Sequence, residues 1–181
     1  MSKLERANSH SLPAKIIHWG FFGIFIYALS KQLDEVQELE DRALLEAEMV
    51  FAALFLLLLI IRFVYMHNTQ PTVMPASTDK LKRRAARCVH LGMYLTLSAI
   101  AITGLVIGGL YAYTIKQGAV MDVFLVLHEL SAQLAMLLII GHIGASIYHR
   151  KQGDGIWDAM VPFWKEHKKW KERIIRQLHW T

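Results

Sequence analysis

The sequence predicts an all-α membrane protein, a four-helix bundle with both termini in the cytoplasm. Hydrophobic residues make up 54% of the 181 residues and charged residues only 19%, whereas soluble domains carry about 25% charged residues. The apolar residues also stand in blocks too long for the core helices of a soluble protein. A third observation, the distribution of basic residues, predicts the orientation.

Four apolar blocks are predicted to span the membrane, and little chain remains for a separate soluble domain. The predicted spans are Ala14 to Ser30, Leu44 to Met66, Cys88 to Tyr113 and Val123 to His149. We expect residues 1–13 to form a cytoplasmic segment and residues 14–150 the transmembrane domain. Residues 151–181 are expected to form a basic tail at the cytoplasmic membrane surface.

Lysines and arginines are distributed unevenly among the connections. The loop between the second and third spans contains Lys80, Lys82, Arg83, Arg84 and Arg87, and the tail after the fourth span contains eight lysines and arginines. The other two connections contain only Lys31, Arg42 and Lys116. The positive-inside rule therefore places both termini and the middle loop in the cytoplasm. Topology explains the net charge of +5, and no nucleic-acid partner is expected.

The single cysteine and the N-terminal segment exclude two classes of protein. Cys88 allows no disulfide within the chain and no cysteine metal cluster, and it is expected to be a small buried residue where the third span begins. The first apolar block has no small-residue cleavage site after it, so we expect a retained span rather than a signal peptide.

Each of the first three spans carries a polar residue near its cytoplasmic end. The first begins at Ser11-Leu12-Pro13, where proline suits a first helical turn, and His18 lies about one turn inside. Arg62 lies near the end of the second span. It is interpreted either as an arginine extending to the interface or as a guanidinium that binds an anionic group. His90 lies about one turn inside the third span.

The fourth span contains two histidines, His128 and His142, fourteen residues apart. At about 100° and 1.5 Å per residue, their side chains face nearly the same way at depths about 21 Å apart. Ionisable side chains are costly in lipid, and they usually face the interior of a bundle, where they bind something. We therefore expect His128 in the outer half of the bundle and His142 in the cytoplasmic half.

Two imidazoles on facing helices can hold haem iron in a six-coordinate, electron-transfer site. His18 or His90 is at the right depth to pair with His142, whereas His128 has no histidine at its own depth in the other spans. Each of these histidines also has a structural interpretation, as a polar residue near a helix end or one bonded to a neighbouring group. A non-haem metal is disfavoured, because no carboxylate lies at equal depth.

The sequence resembles the bacterial cytochrome b561 family, which is related to hydrogenase-type cytochrome b subunits. The matching segments are IIHW at His18, FLLLLIIR ending at Arg62, HLGMYLTLSAIAITGLV from His90, and LHELSAQLAMLLIIGH with His128 and His142. They follow one another in the family's order from residue 15 to about residue 162. The resemblance implies a multi-pass cytochrome of the bacterial inner membrane that exchanges electrons with quinone. Superoxide oxidation is one activity found in this family.

The resemblance also implies a ligand set, from which this chain departs at one position. In two-haem members the positions of His18 and His142 bind the haem near the cytoplasm. The position of His128 binds an outer haem together with a histidine at the start of the second span. That position falls here near Glu48 or Met49, and the second span contains no histidine. Methionine can ligate haem, so Met49 is an alternative partner for His128, and the Glu48 carboxylate is a more remote one. We therefore expect one haem b, with the outer site absent, modified or completed by a partner chain.

The sequence leaves a second hypothesis for the function open beside the electron carrier. The expected partners are membrane lipid, quinone and a redox partner in the periplasm or the membrane, with the oligomeric state undetermined. The second hypothesis is a membrane anchor or assembly subunit of a larger redox complex, with little chemistry of its own. The acidic outer loop and the missing histidine in the second span are consistent with that hypothesis.

Overall fold

The computed structural model describes residues 10–31, 36–69, 80–153, 155–162 and 164, and nearly all of these residues are helical. The four long helices are α1 (Leu12–Ser30), α2 (Arg42–Thr69), α3 (Lys80–Ala112) and α4 (Ala119–Gln152). A 3₁₀ helix, Val36–Glu40, precedes α2, and a short helix, α5 (Ile156–Met160), follows α4. All four long helices are long and apolar enough to cross a membrane. The predicted all-α membrane bundle is confirmed.

The helices extend beyond the apolar blocks that predicted them. The largest difference is at α3, which begins at Lys80 rather than at Cys88, because lysine, arginine, alanine and leucine are all good helix formers. At the start of α1 the side chain of Ser11 caps the helix by accepting a hydrogen bond from the backbone N–H of Ala14. The predicted helix start at Ser11 and Pro13 is therefore correct.

The two ends of the bundle contain different helix ends and connections. The terminal end contains the start of α1, the end of α2, the start of α3 and the end of α4. The loop end contains the 3₁₀ helix and the connection between α3 and α4, and there the Lys116 ammonium bonds Glu40 Oε1 at 3.0 Å. Ser11 Oγ and Tyr65 Oη, 3.3 Å apart, join α1 to α2 at the terminal end.

Two apolar clusters form the core. The larger cluster draws on all four long helices and contains Phe21, Phe25, Phe55, Leu59, Leu97, Ala101 and Ala135. The smaller cluster lies at the loop end and contains Leu39, Leu45, Ile107, Tyr111 and Met121. Most other apolar side chains face outward, as expected for helices whose surroundings are lipid. Cys88 is exposed, so its predicted burial was wrong: its side chain lies on a side of α3 that faces away from the neighbouring helices among the described residues.

Helix α3 is the central element, since it packs along both α2 and α4, while α1 packs on α2. The segment around α5 returns from the end of α4 to the start of α1. There the Lys15 ammonium donates to the Asp158 carbonyl at 3.4 Å and the Trp19 indole N–H donates to the Met160 carbonyl at 3.2 Å. This segment therefore connects the first and last spans at the terminal end. The remainder of the predicted tail, residues 165–181, lies outside the described residues.

Candidate functional site

Four polar side chains, one from each long helix, meet near the terminal end. We call His18 of α1, Arg62 of α2, His90 of α3 and His142 of α4 the histidine cluster. The rings of His90 and His142 have centroids 5.0 Å apart in an edge-to-face arrangement. Arg62, His142 and His90 all lie close enough to His18 for their charges to interact with its ring. The fold therefore brings together the three histidines that were predicted to share one depth.

Arg62 lies inside the bundle, between two aromatic rings. Its guanidinium carbon is 5.3 Å from the ring centroid of Phe21 and 5.3 Å from that of Tyr94. Its Nη2 donates a hydrogen bond of 2.8 Å to His18 Nδ1. Its Nε is buried with no hydrogen-bond partner among the described residues. A buried, unsatisfied donor of a charged group is costly, and an anionic ligand is one group that would satisfy it.

The hydrogen bonds of His18 and His90 imply different positions for their ring protons. Because Arg62 can only donate, His18 Nδ1 accepts and the proton of the neutral ring lies on Nε2. His90 Nδ1 lies 2.7 Å from the Ala86 carbonyl, which can only accept, so the proton lies on Nδ1 and Nε2 keeps its lone pair. Ligating histidines usually donate their second ring nitrogen in this way, so His90 has the tautomer of a ligand and His18 does not.

A cavity of about 370 Å³ lies in the other half of the bundle, toward the loop end. Its lining is mainly apolar and comes from all four long helices. The polar side chains that line it include those of Lys31, Glu48 and His128, and the thioether of Met49 lines it as well. Its size lies within the range of about 300–1,000 Å³ that is typical of ligand sites. His128 is thus separate from the histidine cluster, in the half of the bundle toward the loop end.

The ring of His128 is oriented by Thr103. The Thr103 hydroxyl donates to the Ala99 carbonyl at 2.6 Å, so it accepts from His128 Nδ1 at 2.9 Å. The proton of His128 therefore lies on Nδ1, and the lone pair of Nε2 is available to a ligand. Thr103 was not predicted from the sequence as a residue of the candidate site. Its signal was a threonine within an apolar span, about as far from the loop end as His128.

Two glycines of α3, one helical turn apart, lie beside the donors of the cavity. A Cβ atom at Gly104 would lie 3.5 Å from His128 Cε1, an ordinary contact. A Cβ atom at Gly108 would lie 2.7 Å from Met49 Cγ and 3.2 Å from its sulfur. The absence of a side chain at Gly108 therefore allows Met49 to lie against the α3 backbone, next to the cavity.

Both regions contain side chains of types that ligate haem iron. Within the described residues, no group of three or more His, Cys, Asp or Glu side chains is arranged as a metal site. The histidine cluster offers imidazoles from facing helices and an arginine with an unsatisfied donor. The cavity offers one imidazole and one thioether, both of which ligate haem iron.

Four membrane helices with imidazoles directed at the interior of the bundle are typical of the membrane cytochromes of b type. The chain matches the family model described as prokaryotic cytochrome b561 over residues 9–163. The chain therefore belongs to the prokaryotic cytochrome b561 family, and membership implies haem b and electron transfer. No curated protein and no solved structure matches the chain significantly.

Proposed function

We propose that the protein is a one-electron carrier of the bacterial inner membrane whose haem b is held by His18 and His142. The terminal end faces the cytoplasm, and the electrons are exchanged with the quinone pool. The observation that supports this proposal is the histidine cluster, in which His18 and His142 lie near Arg62 within the apolar bundle and the exposed ring of His90 lies against His142. Family membership supports the choice of haem over other cofactors.

When bound, haem supplies an iron that accepts and returns single electrons. The chain would contribute the imidazoles of His18 and His142 as ligands, which together with the apolar surroundings would set the reduction potential. Phe21 and Leu59, both buried close to the cluster, exclude water from this half of the bundle. Surroundings of low polarity disfavour the oxidation state of the haem that has the greater net charge. The packing of these side chains would therefore affect the reduction potential.

Arg62 is the residue that we assign to a haem propionate. Ligation through His18 Nε2 requires the ring proton on Nδ1, which then cannot accept from Arg62. The guanidinium would exchange its bond to His18 for bonds to a carboxylate, which also satisfies its buried Nε. The flanking rings of Phe21 and Tyr94 keep the guanidinium near the cluster during this exchange.

We assign His90 to quinone. Its ring is exposed near the terminal end and lies edge-to-face with His142. With Nδ1 bonded to the Ala86 carbonyl, Nε2 can accept a proton from a quinol hydroxyl or, once protonated, donate one to a quinone. His90 is also the runner-up ligand for His142, because the two rings are close and the tautomer of His90 is suitable.

The cavity toward the loop end supports a second binding site in the same proposal. His128 is oriented with Nε2 available, and Met49 lines the same cavity from α2. Imidazole and thioether together form a known axial pair for haem. We propose that a second haem b binds here with His128 and Met49 as ligands, in place of the histidine pair of two-haem relatives.

Haem content of single substitutions tests the assignment. His18→Ala and His142→Ala are each expected to lose one haem per chain, measured by pyridine haemochrome on purified protein. His90→Ala is the matched control from the same cluster and is expected to keep the wild-type haem content while slowing reduction by quinol. Loss of haem in His90→Ala with retention in His18→Ala would instead identify the runner-up pair.

The second site is tested separately. Wild-type protein is expected to contain two haems per chain, and His128→Ala and Met49→Ala are each expected to reduce only the second. A far-red charge-transfer band, which thioether-ligated ferric haem shows and bis-imidazole haem lacks, is expected in the wild type and absent in Met49→Ala. One haem per chain, unaffected by His128→Ala, would reject the second site and leave the first intact.

A further inference from the structure

Helix α4 has an outward face that carries polar side chains. At about 100° per residue, Glu129, Gln133, Ile140 and Gly144 lie within about 60° of one another, and all four are exposed. They lie on the side of the helix opposite His142, which faces the bundle interior. The Gln133 amide donates to Glu129 Oε1 at 3.0 Å. A carboxylate and an amide thus share the surface that faces away from the bundle.

The position of this pair along α4 places it within the hydrocarbon layer. Asp122 marks one end of the span, and His149, Arg150 and Lys151 mark the other. The distance from Asp122 to His149 is about 40 Å at 1.5 Å per residue, and the hydrocarbon core is about 30 Å thick. With the helix centred, Glu129 lies about 5 Å and Gln133 about 11 Å inside the core.

Lipid cannot satisfy a carboxylate or an amide at these depths. Polar and ionisable side chains within membrane spans almost always face protein or water. Between membrane helices they act as hydrogen-bonding contacts. The exposure of Glu129 and Gln133 therefore indicates that protein covers this face of α4 in the membrane.

The same face allows another helix to approach closely. An added Cβ at Gly144 would have nothing within 4 Å among the described residues. Small residues at a membrane helix surface let two backbones come together. If two helices approach closely at Gly144 and diverge toward the loop end, the space between them widens there. That wider space accommodates the longer side chains of Glu129 and Gln133.

We propose that this face, formed by Glu129, Gln133, Ile140 and Gly144, is the interface with a second copy of the chain. The two copies share one orientation in the membrane, so their two-fold axis lies along the membrane normal. Each copy then offers a carboxylate acceptor and an amide donor, one helical turn apart. The Gln133 amide has two N–H groups, so one can bond its own Glu129 and the other the partner's Glu129. This donor and acceptor complementarity favours a second copy over an unrelated subunit.

Cysteine cross-linking in native membranes tests this interface. In a Cys88→Ala background, Gly144→Cys and Ile140→Cys are each expected to form a disulfide-linked dimer on mild oxidation. The matched control is Ile61→Cys, an exposed residue that lies eight positions before the end of α2, as Gly144 does in α4. It is expected to remain monomeric under the same conditions.

A second set of variants connects the dimer to the polar pair. Glu129→Leu combined with Gln133→Leu is expected to reduce cross-linking at Ile140→Cys several-fold while the reduced haem spectrum stays unchanged. Absence of cross-linking from both α4 positions, or equal cross-linking of the α2 control, would overturn the inference. Cross-linking to a different protein would show that another subunit covers this face, which would also overturn it.

Discussion

Thr103 shows how a single hydroxyl sets the chemistry of a histidine several turns inside a span. It donates to its own helix and accepts from His128 Nδ1, which leaves one defined ring nitrogen for a ligand. Thr103 itself is buried, so its loss cannot be compensated by bulk water.

Replacing Thr103 by valine is expected to lower the free energy of unfolding by about 0.5–1.5 kcal/mol, because the Nδ1–H of His128 then loses the Thr103 hydroxyl as its acceptor. The change is measured by mixed-micelle denaturation followed by circular dichroism. Thr96→Val is the matched control, since the Thr96 hydroxyl bonds only the carbonyls of Gly92 and Met93 in its own helix. Equal destabilisation by both substitutions would contradict the assigned role of Thr103.

At the residue scale, the sequence identified which histidines are grouped. The spacing of His128 and His142 and the depths of His18 and His90 predicted one cluster and one separate ring, as the fold has them. The sequence did not identify Thr103, nor the rings of Phe21 and Tyr94 that enclose Arg62. Those contacts depend on the rotation of each helix about its axis, which an apolar pattern on all sides leaves undetermined.

Among the helices, α3 has two adjacent glycines whose surroundings differ. Gly108 faces Met49 of α2, whereas an added Cβ at Gly109, the next residue, would have nothing within 4 Å. Substituting alanine at each of these two positions therefore distinguishes the effect of close packing from the intrinsic helix preference of alanine.

Gly108→Ala is expected to destabilise the protein by about 1–3 kcal/mol through overpacking, because the clash is with Met49 Cγ, which cannot move without a change of rotamer. Gly109→Ala is expected to be neutral or to stabilise by about 0.5–1 kcal/mol. Both are measured by mixed-micelle denaturation. If Gly109→Ala destabilises the protein as much as Gly108→Ala does, the effect at position 108 comes from chain flexibility and not from contact with α2.

For the whole molecule, the distribution of lysine and arginine predicts that the terminal end lies in the cytoplasm. In a Cys88→Ala background, Gln117→Cys in the loop between α3 and α4 is expected to react with an impermeant maleimide in intact spheroplasts. Lys82→Cys at the start of α3 is expected to react only after the membrane is permeabilised. The reverse pattern would place the histidine cluster near the periplasm and contradict the proposed site of quinone reaction.

The sequence by itself determined that the chain forms four membrane helices, since hydrophobicity and length decide insertion without reference to partners. It also determined how far apart His128 and His142 lie along the fourth span, because rise per residue is constant along a helix. Only the tertiary structure decided what the side chains at each depth contact: Arg62 with His18, Thr103 with His128, and Met49 beside the cavity. These contacts depend on how helices that are apolar on nearly every side are rotated against one another, and packing at small residues such as Gly108 sets that rotation.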